Sequence, residues 1–279
     1  MKLGVIGYGT IARQALSALA KSLECPLDLV SILAKPEGIG RATALLNSLG
    51  PALAKKRIVV TDVSELLRSG PDLVVEAAGH DAIARHAAGI LSAGRDLVIT
   101  SAGALADERL HVLIEEAART GRARYLICPG AVGGLDIIAA AKLSGLASLV
   151  YTSRKPPLAW RGTAAENVVD LGSLTEAKRF FEGTAREAAR NYPQNANVAA
   201  TVALHGAGLD QTLVHLVADP GVTRNTHAIS LRSGCVDMDV TIAGLPSPDN
   251  PKTSMTAGFA LAAQIIGVLR DKCAIDAGE

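Results

Sequence analysis

The hydrophobic positions at the start of the chain follow two periods in succession. Residues 3–6 form a short apolar run that is typical of a buried strand. Apolar residues then recur at helical spacing, at Ile11, Ala15, Leu16, Leu19 and Leu23. Three small residues, Gly7, Gly9 and Ala12, stand where the strand pattern gives way to the helix pattern. The N-terminal segment is therefore predicted to form a strand, a tight turn and a helix.

The small residues of this turn have the spacing G-x-G-x-x-A, which in this context is the fingerprint of a dinucleotide-binding site. Gly7 permits the tight turn, Gly9 lets a pyrophosphate approach the backbone, and Ala12 allows close packing of helix on strand. The positive end of the helix would face the phosphates. A tight turn without a ligand is the alternative. We predict an NAD or NADP site to which five residues contribute: Gly7, Gly9, Thr10, Ile11 and Ala12.

Alternation of strand and helix patterns continues to about residue 128. Strands are predicted at 27–33, 58–61, 72–78, 96–100 and 123–128, and helices at 64–68, 82–93 and 107–120. This order predicts a Rossmann-type, doubly wound parallel sheet. Ligands of such sheets bind outside the carboxyl ends of the strands. The loops after two of the strands are therefore predicted to line the cofactor site through Ala78, Gly79, Ser101 and Ala102.

The second strand is followed by residues that bear on the choice of cofactor. NAD-preferring Rossmann domains carry an acidic residue here, which binds the ribose hydroxyls. This chain has Ala34 and Lys35 instead, and Arg41 follows shortly after. The cations favour tolerance of a 2′-phosphate, although solvated loop charges are the alternative. Lys35 is predicted to contact the cofactor, and NAD and NADP both remain open.

From Pro129 the pattern changes, which predicts a second domain. Helices are predicted from 135, at 174–181, 184–190, 198–204 and 255–269, with a strand at 146–154, a loop at 155–157 and alternating strands over 213–243. Residues 131–250 are therefore predicted to form a second α/β domain with a mixed or antiparallel sheet. Residues 1–130 form the dinucleotide-binding domain, completed by a C-terminal helix within 251–279.

Composition narrows the class of protein. The chain has 279 residues, 49% of them hydrophobic, and a net charge of +1, so there is no electrostatic case for nucleic acid or a membrane surface. No signal peptide or membrane-spanning run is recognisable. The four cysteines are scattered, which favours reduced thiols in the cytoplasm. Zinc-protease and serine-hydrolase motifs are missing from the sequence, and no metal site is predicted.

Proton transfer in a nicotinamide-dependent reaction suits a histidine, because its pKa lies near neutrality. The chain has six, at 80, 86, 111, 205, 215 and 227. His227 lies in the polar stretch TRNTHAI between apolar strand residues, and it is the leading candidate. His205 and His80 are the next candidates by position. The other three are interpreted as structural or exposed.

The whole chain resembles the L-aspartate dehydrogenase family, on the stretches GVIGYGTIA, SAGA, CPGAVGGLD, PQNANVAATVAL and TRNTHAI. The resemblance implies a homodimer whose Rossmann domain is completed by the C-terminal helix. It assigns the catalytic and dimerisation surfaces to the α/β domain of residues 131–250. It also implies that Ala131 and Asn197 contact the cofactor and that His227 is the active-site histidine. A helix-entry alanine and a helix N-cap are the alternative roles of the first two residues.

The activity that the resemblance implies is NAD(P)-dependent oxidation of L-aspartate to iminoaspartate, which yields oxaloacetate and ammonia or feeds NAD biosynthesis. The two carboxylates of this substrate require cations, and four candidates are available: Arg154, Lys155, Arg224 and Lys252. One alternative is a homoserine dehydrogenase-like or dihydrodipicolinate reductase-like enzyme. Another is a redox sensor that binds NAD(P) without turnover.

Overall fold

The computed structural model describes residues 1–193, 195–248 and 250–277, and for 251, 252 and 273–277 it describes the backbone alone. The chain divides into two compact units. The first comprises residues 1–128 and the segment from 257 onwards, and the second comprises residues 129–256. The second boundary follows residue 256 rather than 250, because residues 250–254 form a strand instead of the start of the final helix.

The first unit alternates strands and helices. Its elements are β1 (Lys2–Ile6), α1 (Thr10–Ser22), β2 (Leu27–Leu33), α2 (Ile39–Leu53), β3 (Ala54–Val60), α3 (Val63–Arg68), β4 (Leu73–Glu76), α4 (His80–Ser92), β5 (Asp96–Ile99), α5 (Glu108–Gly121) and β6 (Tyr125–Ile127). All strand pairs are parallel, in the order β3-β2-β1-β4-β5-β6. This is the Rossmann order, and it confirms the predicted fold class. The strand order reverses between β1 and β4, so the carboxyl ends of these two strands mark the ligand crevice.

Local sequence accounts for most of these elements. The four residues 3–6 of β1 are all buried, as are the four of β4, as expected for strands covered on both faces. Asp107 caps α5 by accepting hydrogen bonds from the backbone N–H groups of Arg109 and Leu110. Helix α2 was not predicted. The predicted loop SAGA instead enters a 3₁₀ turn over Ala102–Ala106, all of whose residues are buried.

The second unit contains α6 (Leu135–Leu143), β7 (Leu146–Lys155), β8 (Lys178–Thr184), α7 (Ala185–Asn191), α8 (Asn197–His205), β9 (Leu213–Ala218), β10 (Asn225–Ser233), β11 (Asp237–Gly244), β12 (Pro246–Ser247) and β13 (Asn250–Ser254). Five strands form one sheet in the order β11-β10-β7-β9-β8. Strands β7 and β9 are parallel, whereas the other neighbours are antiparallel. The predicted mixed sheet is therefore confirmed.

Two predictions about this unit are wrong. Residues 178–181 belong to strand β8, not to a helix over 174–181, because their backbone pairs with β9. The rings of Phe180 and Phe181 then pack edge-to-face against Tyr192, which lies at the end of α7, a contact that helical periodicity does not anticipate. Lys155 is the last residue of β7 and is buried, whereas the sequence placed it in a loop.

The last helix, α9 (Met255–Ala277), returns the chain to the first unit. Five of its apolar residues lie in the core formed with β1 and α1: Leu261, Ala262, Ile265, Val268 and Leu269. Gly258 lies against Gln14 of α1, where a Cβ atom would come within 2.4 Å of the Gln14 Cβ. Close approach of the two helices therefore depends on this glycine. Of the helices that the structure describes, none has the length and apolar character that a membrane crossing needs.

Candidate active site

The turn between β1 and α1 has the geometry of an anion site. Gly7 has φ of +96°, and a Cβ atom there would lie 2.8 Å from the carbonyl oxygen of Ala77, so only glycine fits. The space around Gly9, where a Cβ would stand, is open to beyond 4 Å. Helix α1 begins at Thr10, and no side chain of the described residues caps it or places an acid in its first turn. Its N–H groups and positive end therefore suit a pyrophosphate.

A cavity of about 660 Å³ opens at this turn. Its lining comprises Ile6–Gly9, Leu33–Glu37, Arg41, Thr61, Ala77, Ala78, Asp81, Ala82, Arg85 and His86. The cavity lies at the carboxyl ends of β1, β2, β3 and β4, where ligands bind in this fold. Its volume is within the range of small-molecule sites. The residues present therefore fit a dinucleotide.

Charged side chains surround the part of the cavity that follows β2. The guanidinium of Arg41 lies 5.3 Å from the centre of the Tyr8 ring, and its Nη2 donates a hydrogen bond of 3.1 Å to the Tyr8 hydroxyl. Lys35 and Glu37 also line this region. Glu37 was not predicted, because the expected acidic position lies directly at the end of the second strand. The 3₁₀ turn Pro36–Gly38 brings this later carboxylate to the cavity. Two cations, Lys35 and Arg41, and one carboxylate, Glu37, are therefore available to the ribose end of a cofactor.

The predicted cofactor residues of the first unit have different positions. Gly7, Gly9, Lys35 and Ala78 line the cavity. Thr10, Ile11 and Ala12 form the first turn of α1, and Ala12 is buried against the sheet. The remaining three, Gly79, Ser101 and Ala102, are not among the residues that line the cavity.

Sequence reasoning also missed Glu76, the last residue of β4. It is fully buried, and its carboxylate accepts hydrogen bonds from the N–H groups of Ala78, Gly79, Thr100 and Ser101 and from the Ser101 hydroxyl. These four backbone N–H groups and the Ser101 hydroxyl therefore point towards Glu76. A signal was present in the sequence, because a carboxylate ends an otherwise apolar strand in DLVVEAA.

In the second unit, polar side chains line one buried face of the mixed sheet. Tyr151, Ser153 and Lys155 alternate along β7, and Asn225 and His227 alternate along β10, so side chains of both strands share this face. All five residues are buried. Such a concentration of polar groups in a core requires partners or a ligand.

The imidazole of His227 is held by Tyr151. The Tyr151 hydroxyl lies 2.7 Å from Nδ1 of His227 in a hydrogen bond, and the two rings are nearly parallel. Burial, reinforced by the positive charge of Lys155, lowers the pKa of His227 to about 4. Burial raises the pKa of Tyr151, so its hydroxyl keeps its proton. At neutral pH the site therefore presents a neutral, oriented imidazole.

Lys155 is a buried ammonium group with neutral partners. Its Nζ donates a hydrogen bond of 2.6 Å to Oδ1 of Asn195 and lies 4.8 Å from the centre of the Trp160 ring. Within the described part of the chain, no carboxylate forms an ion pair with it. Burial lowers the pKa of Lys155 to about 8, so the amine is mostly charged at pH 7. Because no described carboxylate neutralises Lys155, its surroundings suit an anionic ligand.

The other predicted substrate cations do not join this cluster. Arg154 points to the opposite face of the sheet, where it forms an ion pair of 2.6 Å with Asp219. Arg224 is exposed just before β10. The side chain of Lys252 lies outside the described residues. The structure therefore brings only Lys155 of these four together with His227 among the described side chains.

The two residues linked to the cofactor by resemblance also belong to this unit. Ala131 is buried in the loop before α6. Asn197 is the half-buried first residue of α8, and the N-cap position is occupied by Ala196, so the capping alternative for Asn197 is wrong.

The remaining histidines have other surroundings. His86 lines the cavity of the first unit, and His80 begins α4. His111 pairs with Tyr125, His205 with the Thr201 carbonyl, and His215 lies near Glu182 and Arg179. No group of three or more metal-binding side chains occurs in the part of the chain that the structure describes.

Comparison with known proteins assigns both halves of the chain. Residues 7–127 match the family model "Homoserine dehydrogenase, NAD binding domain", and residues 136–267 match "Aspartate dehydrogenase, C-terminal". L-aspartate dehydrogenase of Polaromonas sp. is 42% identical over 254 residues, covering 91% of this chain and 92% of the relative. That of Cupriavidus taiwanensis is 40% identical over 262 residues, covering 94% and 95%.

A solved structure agrees in fold. The crystal structure of aspartate dehydrogenase from Thermotoga maritima has a TM-score of 0.70 at 23% identity, covering 97% of this chain and 96% of that one. The predicted resemblance and the predicted class, an NAD(P)-dependent oxidoreductase, are thereby confirmed. The family model named for homoserine dehydrogenase matches the cofactor-binding half, residues 7–127. On this evidence the chain belongs to the L-aspartate dehydrogenase family.

Proposed function

We propose that this protein oxidises L-aspartate to iminoaspartate with NAD or NADP, and that the imine is then hydrolysed to oxaloacetate and ammonia or passed to NAD biosynthesis. The observation that carries the proposal is the pairing of an unneutralised ammonium, Lys155, with a neutral imidazole, His227, on one buried face. An amino dicarboxylate needs both a cation for its carboxylate and an acceptor for its ammonium proton.

Residues 1–130 with the C-terminal helix form the proposed cofactor domain, and residues 131–250 form the proposed substrate domain. The Gly7–Gly9 turn and the N-terminus of α1 would hold the pyrophosphate, with Lys35 and Ala78 on the cavity lining. By resemblance, Ala131 and Asn197 would contact the nicotinamide end. When bound, the nicotinamide accepts the hydride that leaves Cα of the substrate.

His227 is proposed to accept the proton of the substrate ammonium. An ammonium has no lone pair to support the departure of hydride, so it must be deprotonated first. The free imidazole is a weak base because burial and Lys155 lower its pKa to about 4. A bound carboxylate would neutralise Lys155 and raise this pKa, since a nearby negative charge favours the imidazolium. Substrate binding would therefore strengthen the base that the reaction needs.

Lys155 is proposed to bind a carboxylate of aspartate. A buried charge costs several kcal/mol unless it is paired, and the neutral Asn195 offsets only part of that cost. Asn195 instead fixes the direction of the ammonium. The substrate would supply the counter-charge, so binding energy and orientation of Cα would come from the same contact.

The assembly and location of the protein are also proposals. We infer a homodimer by family resemblance, which light scattering of the purified protein would test. We place the protein in the cytoplasm. Cys25, Cys128 and Cys235 are free thiols, as expected in a reducing compartment.

The proposal is tested by assaying purified protein with a panel of amino acids, following reduction of NAD and NADP by absorbance. L-aspartate should be oxidised, and oxaloacetate with ammonia should oxidise the reduced cofactors. Glutamate should react far more slowly, because one added methylene displaces Cα. Activity with homoserine and none with aspartate would overturn the assignment. Tight cofactor binding without turnover of any amino acid would favour the redox-sensor alternative.

A further inference from the structure

A buried carboxylate in the first unit has no part in the reaction as derived above. Glu76 ends β4, and none of its surface is exposed. No cation of the described residues forms an ion pair with it. A buried carboxylate is tolerated only where hydrogen bonds replace the water that it loses. The hydrogen-bond donors around Glu76 therefore indicate which segments of the chain it holds in place.

Each oxygen of this carboxylate accepts hydrogen bonds from a defined set of donors. Oε1 accepts from the N–H groups of Ala78 and Gly79, both at 2.7 Å, and from the Ser101 hydroxyl at 2.8 Å. Oε2 accepts from the N–H groups of Thr100 and Ser101, at 3.2 and 3.1 Å. The single side chain thus ties the segment after β4 to the segment after β5.

The tied segment after β4 forms one wall of the cofactor cavity. Ala78 lines the cavity directly. Gly79, with φ of +112°, is the N-cap residue of α4, and this helix contributes Asp81 and Arg85 to the lining. The positions of the loop and of the helix N-terminus are therefore set by the bonds to Glu76.

We propose that Glu76 is a positioning residue for the dinucleotide, which it serves by tying the segment after β4, which forms the cavity wall, to the segment after β5. The inference rests on the proposed use of NAD or NADP. Glu76 makes no contact with the cofactor in this role. Its effect is on cofactor affinity, through backbone groups that it orients.

Two variants separate the parts of this network. Glu76→Gln retains one carbonyl acceptor but turns an amide NH₂ towards one set of N–H donors, so one of the two segments loses its acceptor. Ser101→Ala removes only the hydroxyl donor and leaves the charge and both segments' backbone bonds in place. Both variants preserve the apolar packing around β4.

Asp96 provides a matched control. It is a nearly buried carboxylate at the start of β5, in the same sheet but at the amino ends of the strands. It accepts hydrogen bonds from the backbone N–H and the guanidinium of Arg124 and pairs with Lys272 at 3.5 Å. Asp96→Asn should lower the melting temperature without changing the cavity.

The experiment titrates full-length protein with NADH and with NADPH, following fluorescence, and measures thermal unfolding of the same samples. Glu76→Gln should raise both dissociation constants at least about tenfold, since hydrogen bonds to charged groups are the stronger ones. Ser101→Ala should raise them about two- to fivefold. Asp96→Asn should leave them unchanged while it lowers the melting temperature.

Unchanged dissociation constants for folded Glu76→Gln, or equal weakening by Asp96→Asn, would overturn the proposal. If Glu76→Gln does not fold, Ser101→Ala decides, and wild-type affinity in that variant overturns it. If the wild-type protein binds neither NADH nor NADPH, the proposed function fails and this inference fails with it. Wild-type binding with unaffected variants contradicts the inference alone.

Discussion

Each unit of this protein buries a charged side chain at the end of a strand, and the two charges have opposite surroundings. Glu76 in the first unit is fully buried and accepts five hydrogen bonds. Lys155 in the second unit is only 6% exposed, yet its described partners are one amide oxygen and one aromatic ring. The first charge is satisfied by the fold, whereas we propose that a ligand neutralises the second.

This difference distinguishes a structural charge from a functional one. A satisfied buried charge stabilises the loops that donate to it, so its removal should lower stability. An unsatisfied buried charge opposes folding, so its removal should raise stability while it abolishes ligand binding. The same reasoning applies to His227, which burial keeps neutral and which therefore remains available to accept a proton.

The largest expected effect belongs to His227. His227→Ala should lower kcat for L-aspartate by about 10²–10⁴-fold, the usual contribution of a general base. Cofactor affinity should stay near wild type, because His227 is not among the residues that line the cofactor cavity. His215→Ala is the control, since His215 lies in the same sheet but is paired with Thr152 and Glu182 rather than with the Tyr151 cluster. Near-normal kcat in His227→Ala would make the histidine structural.

Stability should depend on pH through the same residue. The unfolded chain binds a proton at His227 below its usual pKa of 6.5, whereas the folded protein does so only near 4. The unfolded state therefore holds more protons between these values, and stability falls as pH falls from about 6.5 to 4. His227 should contribute about 3 kcal/mol to this loss. Chemical denaturation of wild type and His227→Gln at pH 7 and pH 4.5 would measure this contribution. An equal loss of unfolding free energy in the two proteins between these pH values would contradict it.

Lys155→Met keeps most of the side-chain volume and removes the charge. The KM for L-aspartate should rise at least about 30-fold, because a buried charge pair would lose one partner. The melting temperature should rise at the same time, since no unpaired charge remains buried. Arg154→Met is the neighbouring control on the opposite face and should leave KM unchanged. A lower melting temperature in Lys155→Met would contradict the proposed difference between Lys155 and Glu76.

Tyr151→Phe tests whether the hydrogen bond to Nδ1 orients His227. We expect kcat to fall about tenfold with KM for L-aspartate nearly unchanged, since the variant loses one hydrogen bond and the ring's alignment. Tyr125→Phe is a matched control, because Tyr125 makes the same kind of bond to His111 in the first unit. Equal losses in the two variants would indicate general destabilisation.

The smallest effect is expected at the part of the cofactor cavity that follows β2, where Ala34 is buried in the lining. Ala34→Asp should shift the ratio of NADP to NAD affinity about five- to tenfold towards NAD, because a carboxylate there repels a 2′-phosphate and accepts bonds from ribose hydroxyls. Ser48→Asp adds the same charge on an exposed part of α2 outside the lining. An unchanged ratio in Ala34→Asp would show that Glu37 already determines the preference.

Local sequence determined most of the first unit, although it did not indicate helix α2. The apolar runs and the small residues at 7, 9 and 12 specify strand, turn and helix through short-range sterics, and the predicted parallel order followed from the alternation. The segment at 27–33 coincides with β2. The choice of His227 as the candidate base also needed only its polar setting and the family resemblance.

Tertiary structure decided the remaining features, because they depend on residues far apart in the chain. Residues 178–181 became a strand through pairing with β9, which no local period anticipates. Arg154 and Lys155 are adjacent and chemically alike, yet the alternation of β7 sends one to Asp219 and the other into the core beside His227. Glu76 meets Ser101 only because β4 and β5 are neighbours in the sheet. Packing therefore determines which buried charges have partners in the fold. It also determines which charges remain available for a ligand.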